Sequence, residues 1–254
     1  MPSPTQDTRL PRVSTMRLVP GIPAEVVVHD EPTECPYLPD RVARLPMRLP
    51  IRPLGRDELD VRLAAGDRRQ GMLLYRPSCP ACEACEAIRV DVAAFRPGRT
   101  QRRVLARGER RLRVELGPPV ADERRVELYN LHRAGRGLAT GPPIDVEAYR
   151  AFLGLTCCDS FELRYHDGES LVGVALTDRS SSALSAVYCF YDPACERLSP
   201  GTFSILQQIE LCRRWELPWL YLGLYVSDCA AMKYKARWLP HERRIDGVWQ
   251  RFER

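Results

Sequence analysis

Three cysteines at the spacing of metal ligands form the sharpest local motif of the sequence. Cys79, Cys82 and Cys85 follow a CxxCxxC pattern on a short segment, and Cys35 precedes them in a CPYL segment. Four thiolates so arranged can hold tetrahedral zinc or an iron–sulfur cluster. A cluster of reduced structural thiols accounts for the same residues, so both interpretations stand.

A stripe of arginines follows the cysteines. Residues 96 to 113 contain a single acidic residue, Glu109. Such a stripe suits a phosphate backbone, although a solvated, arginine-rich face is an equally good reading of the residues alone. The eight arginines are Arg96, Arg99, Arg102, Arg103, Arg107, Arg110, Arg111 and Arg113.

Length and composition are typical of a soluble intracellular protein. With 254 residues, 44% of them hydrophobic, the chain can bury a core of ordinary size in one large or two small domains. No run of about eighteen apolar residues predicts a membrane span. Residues 1–24 lack a secretory signal and are predicted to be a disordered lead-in. Ten cysteines without a signal peptide predict free thiols or metal ligands in the cytoplasm.

Hydrophobic periodicity and turn residues predict the elements that position these motifs. Asp122 is a candidate N-cap of one helix, and Asp167-Gly168 predicts a hairpin. The expected helices are 56–65, the segment after Asp122 up to Gly135, 145–153 and the segment from Pro200 through Cys212. The expected strands are 25–29, 72–75, 88–92, 161–165, 171–177, 185–191 and 219–226, with a basic element from Arg102.

The order strand, helix, strand in the last third predicts a right-handed crossover between two parallel strands. The helix opened by Pro200-Gly201-Thr202 has one apolar stripe, formed by Phe203, Leu206, Ile209 and Cys212. A ligand usually binds in the crevice at the ends of such strands.

In wording and order, several segments resemble the bacterial aminoacyl-tRNA-protein transferases, the aspartate/glutamate leucyltransferases, which are related to the eukaryotic arginyltransferases. The resemblance covers roughly residues 25 to 250. The matching segments are TECPYLPDRVAR (33–44), the stretch from LLYRPSCPAC to QRR (73–103), SAVYCFYDP (185–193), SPGTFSILQQIELCRRWELPWLYLGLYV (199–226), MKYKARWLP (232–240) and IDGVW (245–249).

The resemblance implies an α/β protein with a GNAT-type, acetyltransferase-like mixed sheet and a smaller cysteine-containing domain. The implied division is an N-terminal domain over 25–112 and a transferase domain over 113–254. The implied reaction transfers leucine from Leu-tRNA to the α-amino group of proteins that begin with Asp or Glu, which marks them for degradation by the N-end rule pathway. The implied partners are aminoacyl-tRNA and these acceptor proteins, with neither membrane nor DNA.

Other functions remain open. Arg-tRNA is an alternative donor for the same reaction. An acyl-CoA acetyltransferase of the same fold would need a Gly-rich pyrophosphate loop, whereas ERLSPGTF has one Gly. A non-catalytic metal-binding or RNA-binding module would use only the cysteines and the arginine stripe.

The resemblance also suggests catalytic residues. Lys233, Tyr234 and Lys235 are candidate donors to the oxyanion and the tRNA end, although Tyr234 can instead pack with Trp238 while the lysines are solvated. Asp192 is a candidate proton acceptor or a turn former. Gln207, with Gln208 and Glu210, is placed to reach the crevice, and Tyr188 is a candidate for the aminoacyl pocket or the core.

Arginines are the expected receptors for the acidic first residue of the acceptor. Arg76 and Arg89 flank the cysteine loop, and a guanidinium binds a carboxylate through two hydrogen bonds, although either arginine can pair with an internal acid instead. Arg99, Arg102 and Arg103 are the candidates for tRNA phosphates.

No cofactor is required for transfer, because the ester donor is already activated. The eukaryotic relatives have a CGYC motif associated with iron–sulfur binding, but here Leu38 stands where its second cysteine would be. Because of other departures from the family pattern, the transferred amino acid can be leucine or arginine. The departures are Gly108, His132, Leu224, Asp228 and Ala231.

Overall fold

The computed structural model describes residues 17–139 and 141–253. Within them the strands are β1 Arg17–Val19, β2 Glu25–His29, β3 Pro32–Glu34, β4 Val42–Arg44, β5 Met47–Pro50, β6 Arg68–Gln70, β7 Leu73–Tyr75, β8 Glu86–Asp91, β9 Arg113–Gly117, β10 Ser160–Asp167, β11 Ser170–Arg179, β12 Ala183–Tyr191, β13 Trp219–Tyr225, β14 His241–Ile245 and β15 Val248–Phe252. The helices are α1 Arg56–Ala64, α2 Arg99–Arg111, α3 Glu123–Gly135, α4 Val146–Tyr149, α5 Pro200–Arg214 and α6 Ala230–Lys233. A π-helical turn, Arg150–Gly154, extends α4, and Pro193–Leu198 and Tyr234–Arg237 are 3₁₀ turns.

An eight-stranded mixed sheet organises the fold, which confirms the predicted α/β class. Its order is β15-β14-β8-β13-β12-β11-β10-β9, and only β12 and β13 are parallel. The parallel pair is the predicted crossover, in which α5 connects the two strands.

The two central strands separate along their length. β12 and β13 are in register only at Ala183–Trp219, Leu184–Leu220 and Ser185–Tyr221, although both strands run on for several residues. Gly223 has a φ of +88° and marks an irregularity in the pairing of β13 with β8. The two central strands are therefore splayed, and they open a crevice between them.

Helix α5 packs on the sheet through the predicted stripe. Phe203, Leu206, Ile209 and Cys212 are all buried in the main core. Helix α2 packs against α5 at Gly108, where an added Cβ would lie 2.3 Å from the Phe203 ring. Gly108 thus permits a contact that a larger residue would block.

Local signals at two other elements are also confirmed. The side chain of Asp122 accepts a hydrogen bond from the backbone N–H of Arg125 at 2.8 Å and caps α3. Gly168, with a φ of +58°, turns β10 into β11. Asp246 and Gly247, with φ values of +50° and +82°, turn β14 into β15, a hairpin that lies beyond the last strand predicted from the sequence.

The N-terminal strands form a second, five-stranded sheet in the order β1-β2-β5-β7-β6, and β3 and β4 form a separate pair. Residues 1–16 of the expected disordered lead-in lie outside the described residues, while its later part is ordered and contains β1. The division at residues 112 and 113 stays a prediction. β8 precedes that boundary and is nevertheless a central strand of the large sheet.

Buried ionic contacts fasten the small sheet to the large one. Arg69 of β6 and Asp178 of β11 are paired at 2.8 Å, with both side chains 2% exposed. Ser160 also donates to Asp178 at 2.6 Å. Elsewhere, no described helix has the length and apolarity needed to cross a membrane.

Candidate active site

A cavity of about 790 Å³ occupies the crevice where β12 and β13 separate. β12 contributes Ala186 to Cys189 to its wall, and β13 contributes Leu222 to Leu224. Elements from both ends of the chain complete it. They include Tyr37, Arg68, Tyr75, His132, Phe152, Gln208, Tyr234 and Lys235.

Lys235 is the most unusual polar residue of this wall. It is 7% exposed, and its Nζ lies 2.5 Å from the Leu224 carbonyl oxygen and 3.1 Å from Met232 Sδ. Burial, followed by the nearby charge of Arg68, lowers the pKa of Lys235 to about 7. The amine can therefore exist in its neutral form at physiological pH and exchange a proton there.

The other residues of the MKYKARW segment are placed differently. Tyr234 also lines the cavity, and its residue surface is 43% exposed. Lys233 ends α6, is exposed and is not part of the wall among the described residues. Trp238 is buried against Phe95, with ring centroids 5.7 Å apart, so it packs in the core without Tyr234.

Tyr188 lies in the wall beside other aromatic rings. Its ring centroid is 5.6 Å from that of Tyr129 and 6.2 Å from that of Phe152. Burial raises the pKa of Tyr188 well above its ordinary value, so its hydroxyl stays protonated. Tyr188 thus lines the cavity and packs among aromatic rings, and its part in binding an aminoacyl group stays a prediction.

The phase of α5 places Gln208, rather than Gln207, in the wall. Gln208 is 1% exposed, accepts a hydrogen bond from Thr177 and donates one to Ser204. Gln207 is half-buried outside the described wall, and Glu210 is exposed. Ser204 and Gln208 lie on one helix face at i, i+4 spacing, but this spacing alone does not predict that the face meets the cavity.

Asp192 stands at the end of β12 outside the described wall. Its carboxylate accepts a hydrogen bond from the backbone N–H of Ala194 at 2.9 Å and caps the following 3₁₀ turn. The contacts are those of a turn former.

The two arginines expected to receive an acidic side chain lie elsewhere. Arg89 is paired with Glu242 at 2.6 Å and stacks between Trp219 and Trp249, with its guanidinium carbon 3.9 and 4.2 Å from the ring centroids. Arg76 is half-exposed and donates to the carbonyl oxygen of Ala65 at 2.7 Å. Neither side chain is part of the described cavity wall.

Arg68, which the sequence reading missed, does line the cavity. It is 7% exposed and donates to Ser185 Oγ and the Ala186 carbonyl oxygen, both at 3.0 Å. Burial lowers the pKa of Arg68. Nothing in the local sequence separates it from Arg69, because their different environments arise from strand β6 packing on the large sheet.

Arg96 of the arginine stripe precedes helix α2 and Arg113 lies on β9, whereas the other six arginines lie on α2, outside the described cavity wall. Arg99, Arg102 and Arg103 are exposed on this helix, together with Arg107 and Arg110. Within the described residues, Arg99 and Arg103 form no ion pair. This exposed, positively charged surface suits a phosphate backbone.

The cysteines of the CxxCxxC motif and Cys35 are half-buried outside the described cavity wall. Burial, followed by the neighbouring thiols of Cys79, Cys35 and Cys82, raises the pKa of Cys85 to about 12. The other three thiols are thus close enough to Cys85 to influence its ionisation. As placed, however, no group of three or more described His, Cys, Asp or Glu residues has the geometry of a metal site.

Family models match both halves of the chain. The model described as "Arginine-tRNA-protein transferase, N terminus" matches residues 33–103, and "Arginine-tRNA-protein transferase, C terminus" matches residues 124–245. The first match contains Arg68 and the cysteines, and the second contains β12, α5, β13 and Lys235.

Individual proteins match over most of their length. An aspartate/glutamate leucyltransferase of Thiobacillus denitrificans is 39% identical over 87% of this chain and 92% of its own. One of Marinobacter nauticus is 40% identical over 86% and 92%. Among solved structures, FemX is 10% identical, with a TM-score of 0.45 over 77% of this chain and 68% of its own, which is a partial likeness.

Proposed function

The chain belongs to the arginine-tRNA-protein transferase family, and we propose that it transfers leucine from Leu-tRNA to the N-terminal α-amino group of proteins that begin with Asp or Glu. The observation that carries the site assignment is a buried lysine of near-neutral pKa in a cavity between splayed parallel strands. The names of the relatives support leucine and the acidic acceptors.

The reaction forms one bond and breaks one. The neutral α-amine attacks the ester carbonyl carbon of the leucyl group, a C–N bond forms, and the bond to the tRNA 3′ oxygen breaks. The ammonium of the acceptor must first lose a proton, and its ordinary pKa is near ~8. Neutral Lys235 takes a proton from the nitrogen, and protonated Lys235 returns one to the departing ribose oxygen.

Residues that orient the reacting groups and the tRNA supply the rest of the rate acceleration. The hydroxyl of Tyr234 is the candidate donor to the tetrahedral oxyanion, because it lines the same cavity as Lys235. Gln208 is held by Ser204 and Thr177 and presents a fixed amide at the wall. Exposed arginines of α2 hold the tRNA backbone outside the cavity.

The cavity wall favours leucine over arginine as the transferred residue. Its apolar members include Phe152, Leu153, Val187, Leu222 and Leu224. Glu196 is the sole carboxylate in the described wall, and it lies 3.5 Å from Arg136. A transferred arginine would therefore bring its guanidinium into a cavity that already contains the cation of Arg68, without an unpaired acid to receive it.

The test is a transfer assay with tRNA charged with radiolabelled leucine or arginine and peptides that begin with Asp, Glu or Ala. Leucine should label the Asp and Glu peptides and spare the Ala peptide. If only arginyl-tRNA labels the peptides, the donor is Arg-tRNA and not Leu-tRNA. Absence of label with either donor would overturn the proposal, and acetyl-CoA in the same assay would then test the acetyltransferase alternative.

A further inference from the structure

Arg68 is a buried cation with unused hydrogen-bonding capacity. A guanidinium has five N–H donors. Among the described acceptors, Arg68 is bonded to Ser185 Oγ and the Ala186 carbonyl oxygen, both neutral. Its remaining N–H groups belong to a side chain that lines the cavity.

The described residues also leave the charge of Arg68 uncompensated at short range. No carboxylate of these residues lies within 4.0 Å of it. Asp178 is close enough to raise the pKa of Arg68, but both of its oxygens are held by Arg69, and Ser160 donates to one of them. Lys235 is a second cation near Arg68, since the charge of Arg68 lowers the pKa of Lys235.

A desolvated charge without a partner destabilises the folded protein, whereas a guanidinium and a carboxylate form strong paired hydrogen bonds. The backbone leaves room for this guanidinium. A Cβ at Gly223, where φ is +88°, would lie 3.2 Å from Arg68 Nη2. The site is therefore built around a cation that an incoming anion would stabilise.

We infer that Arg68 is the receptor for the side-chain carboxylate of the acceptor's first residue, and that it sets the preference for Asp and Glu. This inference rests on the proposed function and names the group that selects its substrate. Arg68 takes the role that the sequence reading gave to Arg76 and Arg89. Its place near Lys235 puts the carboxylate and the reacting amine of one residue in the same cavity.

A carboxylate suits this position better than a tRNA phosphate. Arg68 is 7% exposed on the wall of a cavity, so the anion that reaches it must be small and carried on a short chain. Exposed arginines for a phosphate backbone are available on α2. The tRNA therefore has a separate and accessible cationic surface.

The experiment compares peptides that differ only in their first residue, Asp against Asn and Glu against Gln. The measured quantity is the ratio of kcat/KM within each isosteric pair. Arg68→Gln should lower the ratio on the order of 100-fold, mainly through the KM of the acidic peptide, because one partner of a buried charge pair is lost. Arg68→Lys should give an intermediate ratio, since it keeps the charge without the planar fork.

Two further variants compare other arginines. Arg56→Gln removes a half-exposed arginine of α1 that is paired with Asp159, and it should leave the ratio unchanged. Arg89→Gln should also leave the ratio unchanged. If Arg89→Gln erases the preference while Arg68→Gln keeps it, the inference is wrong.

Direct binding separates this inference from the proposed function. Titration calorimetry of the free wild-type protein should show tighter binding of the Asp peptide than of the Asn peptide, with or without transfer activity. If Arg68→Gln does not fold, Ser185→Ala keeps the guanidinium but removes one anchor and should lower the ratio roughly 3- to 10-fold. Equal binding of both peptides overturns the inference. If Arg68→Gln raises the KM for Leu-tRNA and leaves the peptide ratio unchanged, Arg68 contacts a tRNA phosphate and the inference is overturned.

Discussion

The ε-amino group of Lys235 lies 2.5 Å from the main-chain carbonyl oxygen of Leu224. By the resemblance noted from the sequence, Leu224 is one of the positions expected to depart from the family's usual sequence. Because the contact is made by the backbone, a change of side chain at position 224 preserves the hydrogen bond. The departure therefore alters the surface of the cavity without removing the partner of the lysine.

Replacement of Lys235 should change the pH dependence of transfer. With a pKa of about 7, the neutral amine predominates above pH 7, and wild-type kcat should fall about tenfold per pH unit below it. Lys235→Arg remains charged throughout this range, so kcat should drop about 10²- to 10⁴-fold and lose that inflection. Single-turnover rates from pH 5.5 to 9 measure both effects. Arg237→Gln, an exposed neighbour, should keep the wild-type profile; an inflection retained by Lys235→Arg would assign it to another group.

Lys235→Met should stabilise the protein at neutral pH while it abolishes transfer. The pKa of Lys235 is about 7 in the folded protein against 10.5 in the unfolded chain, so unfolding takes up a proton between these values. Wild-type stability due to this group should therefore increase by about 2 kcal/mol from pH 7 to pH 9. Urea unfolding gives the free energy of unfolding of both proteins at the two pH values, and the difference between them isolates the contribution of Lys235. If this difference does not become smaller as the pH rises, the prediction is wrong.

Gly108→Ala should destabilise the protein by about 1 to 3 kcal/mol, because the added methyl group would enter the Phe203 ring. The sign is diagnostic, since Gly→Ala within a helix ordinarily stabilises by about 1 kcal/mol. Thermal and urea unfolding measure the change. Glu109→Ala, on the exposed side of the same helix, should stay within about 0.5 kcal/mol of wild type. A more stable Gly108→Ala protein would show that α2 does not pack on α5 this closely.

Removal of two exposed charges from α2 should weaken tRNA binding without altering acceptor use. The double variant Arg99→Gln/Arg103→Gln should raise the KM for Leu-tRNA and lower the slope of log KM against log salt by about 1.5 to 2. The KM of the Asp peptide should not change. The control variant Arg52→Gln/Arg56→Gln removes the same number of charges from α1 and the segment before it, where both arginines have acidic partners. An equal effect of the two pairs would indicate a nonspecific charge effect.

Metal removal should leave transfer intact, because the four candidate cysteines lie outside the described cavity wall and none has a role in the proposed step. We propose that zinc or an iron–sulfur cluster, if bound at these thiols, has a structural role. Elemental analysis and sulfide content of protein purified without oxygen measure occupancy. If metal is bound, chelation should lower the Tm more than the rate at 25 °C. Loss of activity that the metal restores would give the site a catalytic role.

The helices and strands that local signals predicted are present, although several described strands, among them β5, β9 and β14, were not predicted. The stripe from Phe203 to Cys212 is buried as its spacing predicts, and the carboxylate of Asp122 caps α3. Gly168 turns the predicted hairpin. The Asp246-Gly247 hairpin carries the same local signal and was predictable on the same ground.

Contacts that are distant in sequence were beyond such signals. β8 lies between β13 and β14 in the large sheet, so its partners are more than 100 residues away in the chain. Helical spacing placed the glutamines of α5 near the crevice, but only the packed orientation of the helix decided that Gln208 faces it. The different environments of Arg89 and Arg68 were equally unpredictable from local sequence. Arg89 pairs with Glu242, whereas Arg68 lines the cavity.

The sequence by itself determined the predicted helices, strands and parallel crossover, because hydrophobic period, caps and turns act over a few residues. The acetyltransferase-like class and the segment that contains the lysine were implied by the resemblance to a known family. The tertiary structure alone decided which charged groups face the cavity and how far burial lowers the pKa of Lys235. Both depend on the neighbours that distant strands bring together, and desolvation and charge pairing are properties of that assembled environment.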